Sequence, residues 1–426
     1  MNSRLLPRVA ALLCTAAAIA AGPVAAHADD VITSWDLRSD AVTAGTIRDA
    51  ADRFEAANPG YKVEDSHFAN DAYKTKLKIG FGANQPPCVF ASWGGGPLKE
   101  YVDAGQVMDM TPYLDKDPAF KDRFIDASFG PVTFDGKIYG IPAENTGLAV
   151  VFYNKDMFAE YGLTPPKTWD DLMNIIQVLN DHNVAPFALA NKNKWPGLMY
   201  YGLLVDRVAG PGAYQAASTG SGSFTDPAFV EAGTLLQDLV KANAFAKGYN
   251  GLDYDIGGSR RLLYANKAAM EVMGTWELSS IINENPSFAD KVDFFTFPSV
   301  PDGKGDPSDV LGTLGDNYIS VSEACPYKDK AFELATYMTD DTAAADRLAN
   351  QRMMPLKNIQ TDDPFLQKVA NTVANAQSVQ LWYDQDLPPA VGEATKDAVQ
   401  ELFGLSITPE QAAQQIQDAA SAKASN

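Results

Sequence analysis

Hydrophobic and polar positions along this chain switch repeatedly between two periods. VITSWD alternates as a strand does, and TAGTIRDAADRFEAANPG then carries apolar residues at helical spacing before stopping at Pro59-Gly60. YKVEDSHF reads as a second strand and NDAYKTKLKIGFGA as a second helix. CVFASW is a third strand, short and apolar, as a strand of a buried parallel sheet is. Strand, helix, strand, helix, strand predicts an α/β sheet.

Further along, PVTFDGKIYGIPA sets Asp135-Gly136 between alternating residues, the signal of a hairpin. An apolar strand, TGLAVVFYN, turns into the helix KDMFAEYG, stops at Thr-Pro-Pro, and restarts as a helix capped by Thr168 with acids in its first turn. From about 170 to 310 the pattern is helix-rich, broken by segments such as STGSGSF, with DKVDFFTFPSVPDG as a late strand and turn. LGTLGDNYISVSEACPYKDKAFELATYM then gives a glycine-broken strand, a turn and a helix, so strand character returns long after the first sheet is laid down. No period of 20 to 50 residues marks a solenoid.

At 426 residues the chain is too long for one ordinary domain, and its 46% hydrophobic content suffices for two cores. Residues 1–28 read as a signal peptide: Arg4 and Arg8, an apolar stretch, then Ala26-His27-Ala28 as a small-x-small cleavage site. Cys14 raises lipidation as an alternative, but it follows Leu13 where a small residue is needed, so a soluble exported protein, periplasmic or extracellular, is the expectation. Beyond the leader no apolar run approaches the roughly 18 residues of a membrane span. The net charge of −20 becomes more negative once Arg4 and Arg8 leave, which disfavours nucleic acid and anionic lipid as partners.

Cys88 and Cys325 remain after processing in a compartment that permits disulfides, as a bridge or as two separate buried thiols. His67 and His182 are not at metal spacing, and neither a zinc centre nor another cofactor is expected. There is no nucleophile elbow, Walker loop or calcium loop. Trp93-Gly94-Gly95-Gly96 offers backbone amides to an anion, yet lacks the Lys and Ser/Thr of a nucleotide site.

A flat, neutral, hydroxylated ligand fits that loop better. Pyranose rings lay apolar C–H faces on an indole while their hydroxyl rim needs carboxylates, amides and basic groups, and glycine admits close approach to backbone N–H. The pairing of aromatic with polar neighbour recurs at Trp35 with Asp36 and Arg38, at Trp195 after Lys192 and Asn193, at Trp276, and at Trp382-Tyr383 beside Asp384. Any one tryptophan is more often core than ligand platform; five in such settings argue that some meet ligand. Trp169, in KTWDDL, reads as a helix start packing inside its own lobe. Glu144, Asp316 and Asp384 could instead be read as glycosidase carboxylates, a reading for which the spacing gives no test.

Four stretches together resemble the extracellular solute-binding proteins, family 1, which feed carbohydrate ABC importers: ASWGGGPL, GKIYGIPAENTGLAVVFYNKDMFAEYGLTPPKTWDDL, AAMEVMGTWE and ISVSEACPYKDKAFELATYM, in the family's order across nearly the whole mature chain. The resemblance implies a two-lobed α/β periplasmic-binding-protein fold of type II, hinge-linked, with a sugar in the interlobe cleft. By likeness, lobe one is 29–148 plus 318–375 and lobe two 149–317 plus 376–426. In that topology the strand beginning at Cys88 lies antiparallel beside the strand ending at Cys325, which implies a disulfide between them; the family often has Asp where Cys88 stands.

Carried over by position, the ligand-binding candidates are Trp35, Asp36, Arg38, Trp93 and Gly94 on lobe one, Glu144 and Asn145 beside the hinge, and Lys192, Asn193, Trp195, Gly274, Trp276, Asp316, Trp382, Tyr383 and Asp384 on lobe two. The aromatics would stack on ring faces, the acids accept hydroxyl hydrogen bonds, and the amides and basic groups donate. The implied partners are a sugar, more readily an oligosaccharide than a monosaccharide, and a membrane permease that reads the closed form; the protein is expected to be a monomer with no catalytic residues. A secreted carbohydrate hydrolase, or the same fold holding a non-sugar solute, are the alternatives.

Overall fold

The computed structural model of the chain describes residues 29–38 and 40–424, apart from the side chains of Asn145, Thr146 and Ala424. The leader expected at 1–28 and the side chain of the candidate Asn145 therefore lie outside the described residues. Among the described residues no helix is long and apolar enough to cross a membrane.

The first strand, β1 (Asp30–Asp36), buries Ile32, Ser34 and Asp36 on one side. The helix Ala41–Ala57 follows, started by Asp40 accepting from the Thr43 backbone N–H and seated by Ile47, Ala50, Ala51 and Phe54. β2 (Tyr61–His67) and β3 (Val89–Ser92) run parallel to β1 on its two sides. A small hairpin, β4 (Thr133–Phe134) and β5 (Lys137–Ile138), turns at Asp135 and Gly136, both at positive φ as a two-residue turn of this kind requires.

The long β6 (Glu144–Asn154) leaves this lobe and becomes central to a second sheet. β7 (Ala185–Phe187), β8 (Ala268–Gly274), β9 (Val292–Phe295) and β10 (Val310–Asp316) build around it, in the order β10-β6-β8-β7 with β9 also on β6. The helix Trp169–Asp181 packs there behind a capping box between Thr168 and Asp171, and Trp169 is buried in this lobe's core.

The chain then returns. β11 (Tyr318–Val321) pairs antiparallel with β3, completing the sheet order β11-β3-β1-β2. Cys88 and Cys325, just beyond the ends of these two strands, form a disulfide with Cα atoms 4.8 Å apart. Finally β12 (Val379–Gln380) joins β10 in the second sheet.

Each sheet has its own apolar cluster, one around Ile32, Phe90 and Tyr318, the other around Val150, Met270 and Leu236. The helix Pro364–Ala374, which the likeness assigns to lobe one, packs on the second sheet: Phe365 stacks on Phe152, and Leu366 and Val369 enter the second core. Neighbouring Met353 and Met354 belong to the second and first cores respectively, so this stretch of chain runs along the boundary between the lobes.

Candidate functional site

At the neighbouring ends of β6 and β8, the sequence places two glycines, Gly147 and Gly274, opposite one indole. A Cβ on Gly274 would lie 2.2 Å from the Trp276 ring and one on Gly147 2.7 Å from it. Only bare backbone lets Trp276 lie down on the sheet at this point. Its Nε1–H donates to the Tyr254 hydroxyl (3.0 Å), which donates to the fully buried Glu277 (2.7 Å), itself paired with Arg260. Trp382 meets the same indole edge-to-face at 5.6 Å, and Trp195 lies 6.4 Å away against Tyr254. Three indoles from three separate stretches of lobe two thus form one aromatic floor.

Above it is a cavity of about 400 Å³ lined by both lobes, within the ~300–1,000 Å³ of small-ligand sites. Lobe one contributes Trp93, whose ring carries the Lys74 ammonium 5.1 Å from its centre. Lys74 also sits 3.9 Å from Asp384 across the cleft. The lobes are drawn together at the rim: Asn193 Nδ2 donates to Asp71 (2.7 Å) and Asn283 Nδ2 to Asp40 (3.2 Å).

The hinge end of the cavity is ionic. Glu144, at the start of β6, and Asp316, at the end of β10, are directly opposed in the antiparallel register. Like charges so placed repel, and the sequence compensates with arginines. Arg38 bonds both Asp36 and Glu144 Oε1, while Arg352 (2.9 Å) and Asn317 Nδ2 (2.8 Å) donate to Glu144 Oε2. Burial opposes ionisation of Glu144, but the charges of Arg38, Arg352 and Arg347 outweigh it and hold its carboxyl well below the usual carboxylate range. Asp316 has no such clamp. Burial, and then the Glu144 charge, push it up to about 7.

Of the sixteen ligand-binding candidates, Arg38, Trp93, Glu144, Trp195, Trp276, Asp316, Trp382, Tyr383 and Asp384 line this one cavity. Tyr383 does so from within the core, stacked on Tyr214 at 3.8 Å. The others have different places. Trp35 points to the opposite side of β1 from Asp36, wedged against Gly80 and Phe68 beneath the helix Asn70–Gly82. Asp36 is buried and holds Arg38. Lys192 is a largely exposed residue paired with Asp253, Asn193 clasps the other lobe, and Gly274 seats Trp276.

Gly94 and its neighbours also answer to protein rather than ligand. A Cβ on Gly94 (φ +75°) would lie 2.7 Å from the Pro131 carbonyl, one on Gly95 2.1 Å from that of Gln385, and one on Gly96 2.2 Å from that of Leu387. Gly94 thus packs within its own lobe, while Gly95 and Gly96 let the first lobe's loop meet backbone of the second with nothing between. Tyr254, Asn317 and Arg352, which line the cavity, were not singled out in the sequence. Asn317 carried a signal: a Gly-Asp-Asn-Tyr break between two apolar strands.

Among the described residues, no group of three or more His, Cys, Asp or Glu side chains is placed to hold a metal ion. Residues 40–345 match the family model for bacterial extracellular solute-binding proteins. An uncharacterized ABC transporter extracellular-binding protein of Pyrococcus horikoshii is 28% identical over 244 residues, 55% of this chain and 54% of that one, so the match spans about half of that relative's length. The multiple sugar-binding protein of Streptococcus mutans is 24% identical over 69% of this chain and 68% of its own. A solved structure from work on xylan utilization by Caldanaerobius polysaccharolyticus superposes with a TM-score of 0.85 and 33% identity, covering 91% of this chain and 99% of that one.

Proposed function

The chain belongs to the bacterial extracellular solute-binding protein family, and on that premise we propose that it captures an oligosaccharide between its lobes and delivers it to the membrane permease of an ABC importer. One observation carries the sugar: indoles from both lobes, Trp93 on one side and Trp195, Trp276 and Trp382 on the other, line a single cavity whose other walls are amides, carboxylates and basic groups. Apolar ring faces and a hydroxyl rim are what such a wall complements. The relative from Streptococcus mutans is named for binding multiple sugars, in keeping with this reading.

The chemistry is that of capture alone. Ligand gripped by both walls favours the closed form over the open one by its extra contacts there, and the permease reads the closed form. Export as a soluble monomer, with residues 1–28 removed, belongs to the same proposal.

A hydrolase reading draws on one specific feature, an ionised Glu144 opposite an Asp316 that titrates near neutrality. Against it, both Glu144 oxygens are taken by Arg38, Arg352 and Asn317, so neither is free to attack a sugar carbon. Thermal melting over a panel of di- and trisaccharides tests capture, since a ligand of the native state raises Tm by mass action. The proposal expects a rise with at least one sugar and no reducing ends on prolonged incubation. Reducing-end release that Asp316→Asn abolishes would establish the hydrolase instead.

A further inference from the structure

Asn317 sits at the second crossing between the lobes, between β10 and β11, with φ +47°. Few residues other than glycine tolerate that backbone, and asparagine is one of them. The side chain is only 7% exposed and lines the cavity. Its Nδ2 donates to Glu144 Oε2 at 2.8 Å. Glu144, clamped by Arg38 and Arg352, is a pure acceptor, so the amide has one sensible orientation: NH2 towards Glu144 and Oδ1 away from it. Oδ1 is buried and has no hydrogen-bond partner in the protein. A buried carbonyl oxygen without a donor is costly and uncommon.

Resting on the saccharide reading above, we propose that Asn317 is a specificity-determining ligand residue: its Oδ1, fixed as an acceptor by Glu144, takes the proton of one particular sugar hydroxyl at the hinge. Because the acceptor cannot turn into a donor while Glu144 is ionised, the site selects for an O–H or N–H at that position and against a group that only accepts. Because Asn317 lies on the crossing itself, the hydroxyl is held where both lobes meet.

The test uses the full chain and isothermal titration with xylobiose, cellobiose, maltose, melibiose and the corresponding trisaccharides. Asn317→Gly keeps the positive φ and deletes the acceptor. The best-bound sugar is expected to bind it about ten- to a hundredfold more weakly than wild type, the cost of a buried donor left unpaired. A set of singly deoxyfluorinated versions of that sugar supplies the second arm. One position is expected to cost wild type a similar factor yet cost Asn317→Gly nothing. Equal affinity of the variant and wild type overturns the inference, as does the lack of any fluorinated position that wild type rejects by about tenfold; this second result stands even where the variant does not fold. If wild type binds no sugar at all, the saccharide reading fails and the inference with it, a result distinct from binding that ignores residue 317.

Discussion

Glu144 and Asp316 face each other across the antiparallel pair β6 and β10, at the two points where the chain passes between lobes. One is held ionised by guanidinium groups and the other titrates near 7. A carboxyl whose pKa is raised in the folded state contributes most below its unfolded value, and that contribution is lost as pH rises through the folded value. For Asp316 the window runs from about 4, the ordinary aspartate value, up to about 7. Asp316→Asn removes this loss, so its Tm advantage over wild type is expected to widen from pH 5 to pH 7 and stay level from 7 to 8. Melting curves at these pH values decide it; a gap independent of pH would show that Asp316 is not the titrating group.

Two tryptophans should respond in opposite ways. Trp276→Ala removes the ring that rests on Gly147 and Gly274, and the best sugar is expected to bind about thirtyfold or more weakly, the ~2 kcal/mol of a buried aromatic anchor. Trp35→Ala opens a hole beneath the helix Asn70–Gly82 and is expected to cost about 3 kcal/mol of stability with affinity unchanged. Titration and urea unfolding of both variants separate the two roles. The same loss of affinity in both would sink the assignment.

Gly95→Ala places a methyl where the Gln385 carbonyl of the other lobe stands. Closure is then obstructed while each lobe keeps its core. The unliganded variant is expected to lose about 1–2 kcal/mol of stability, the cost of alanine in the left-handed region, while sugar affinity falls at least tenfold. Small-angle scattering gives the direct readout: sugar should compact wild type and leave the variant extended.

Reduction of Cys88–Cys325 is expected to lower stability by about 2–5 kcal/mol, as loss of a native bridge does. Urea midpoints with and without a reducing agent measure it. An intact mass that does not change on denaturing reduction would mean the two thiols were never joined.

Local pattern carried the first lobe's strands and helices far, because β1, β2 and β3 show period-two or fully apolar runs bounded by turn residues. The placing of Trp93, Trp195, Trp276 and Trp382 came from their setting beside glycines and polar groups and from the family likeness. Trp35 shared that setting, yet strand alternation sends it to the other face of the sheet from Ile32, Ser34 and Asp36, beneath the helix Asn70–Gly82. The glycines misled for a different reason. Whether a bare backbone meets a ligand, an indole or another lobe depends on what the closed fold brings opposite, and Gly95 meets a residue 290 positions away. Tyr254 was invisible because its partners, Trp276 and Glu277, come from a distant strand end. Which sheet the helix Pro364–Ala374 covers was not legible, because it has an apolar face that either sheet could take.

β3 and β11 form an antiparallel ribbon with the Cys88–Cys325 staple at one end and, at the other, Ser92 beside Tyr318. That far end bears both Trp93 and the return from the other lobe. A ribbon riveted so cannot shear, which makes it the lever arm of the machine: the indole of Trp93 and the pivot must travel as one piece. Any swing of the lobes therefore carries the Trp93 ring, at the wall of the cavity, together with the pivot.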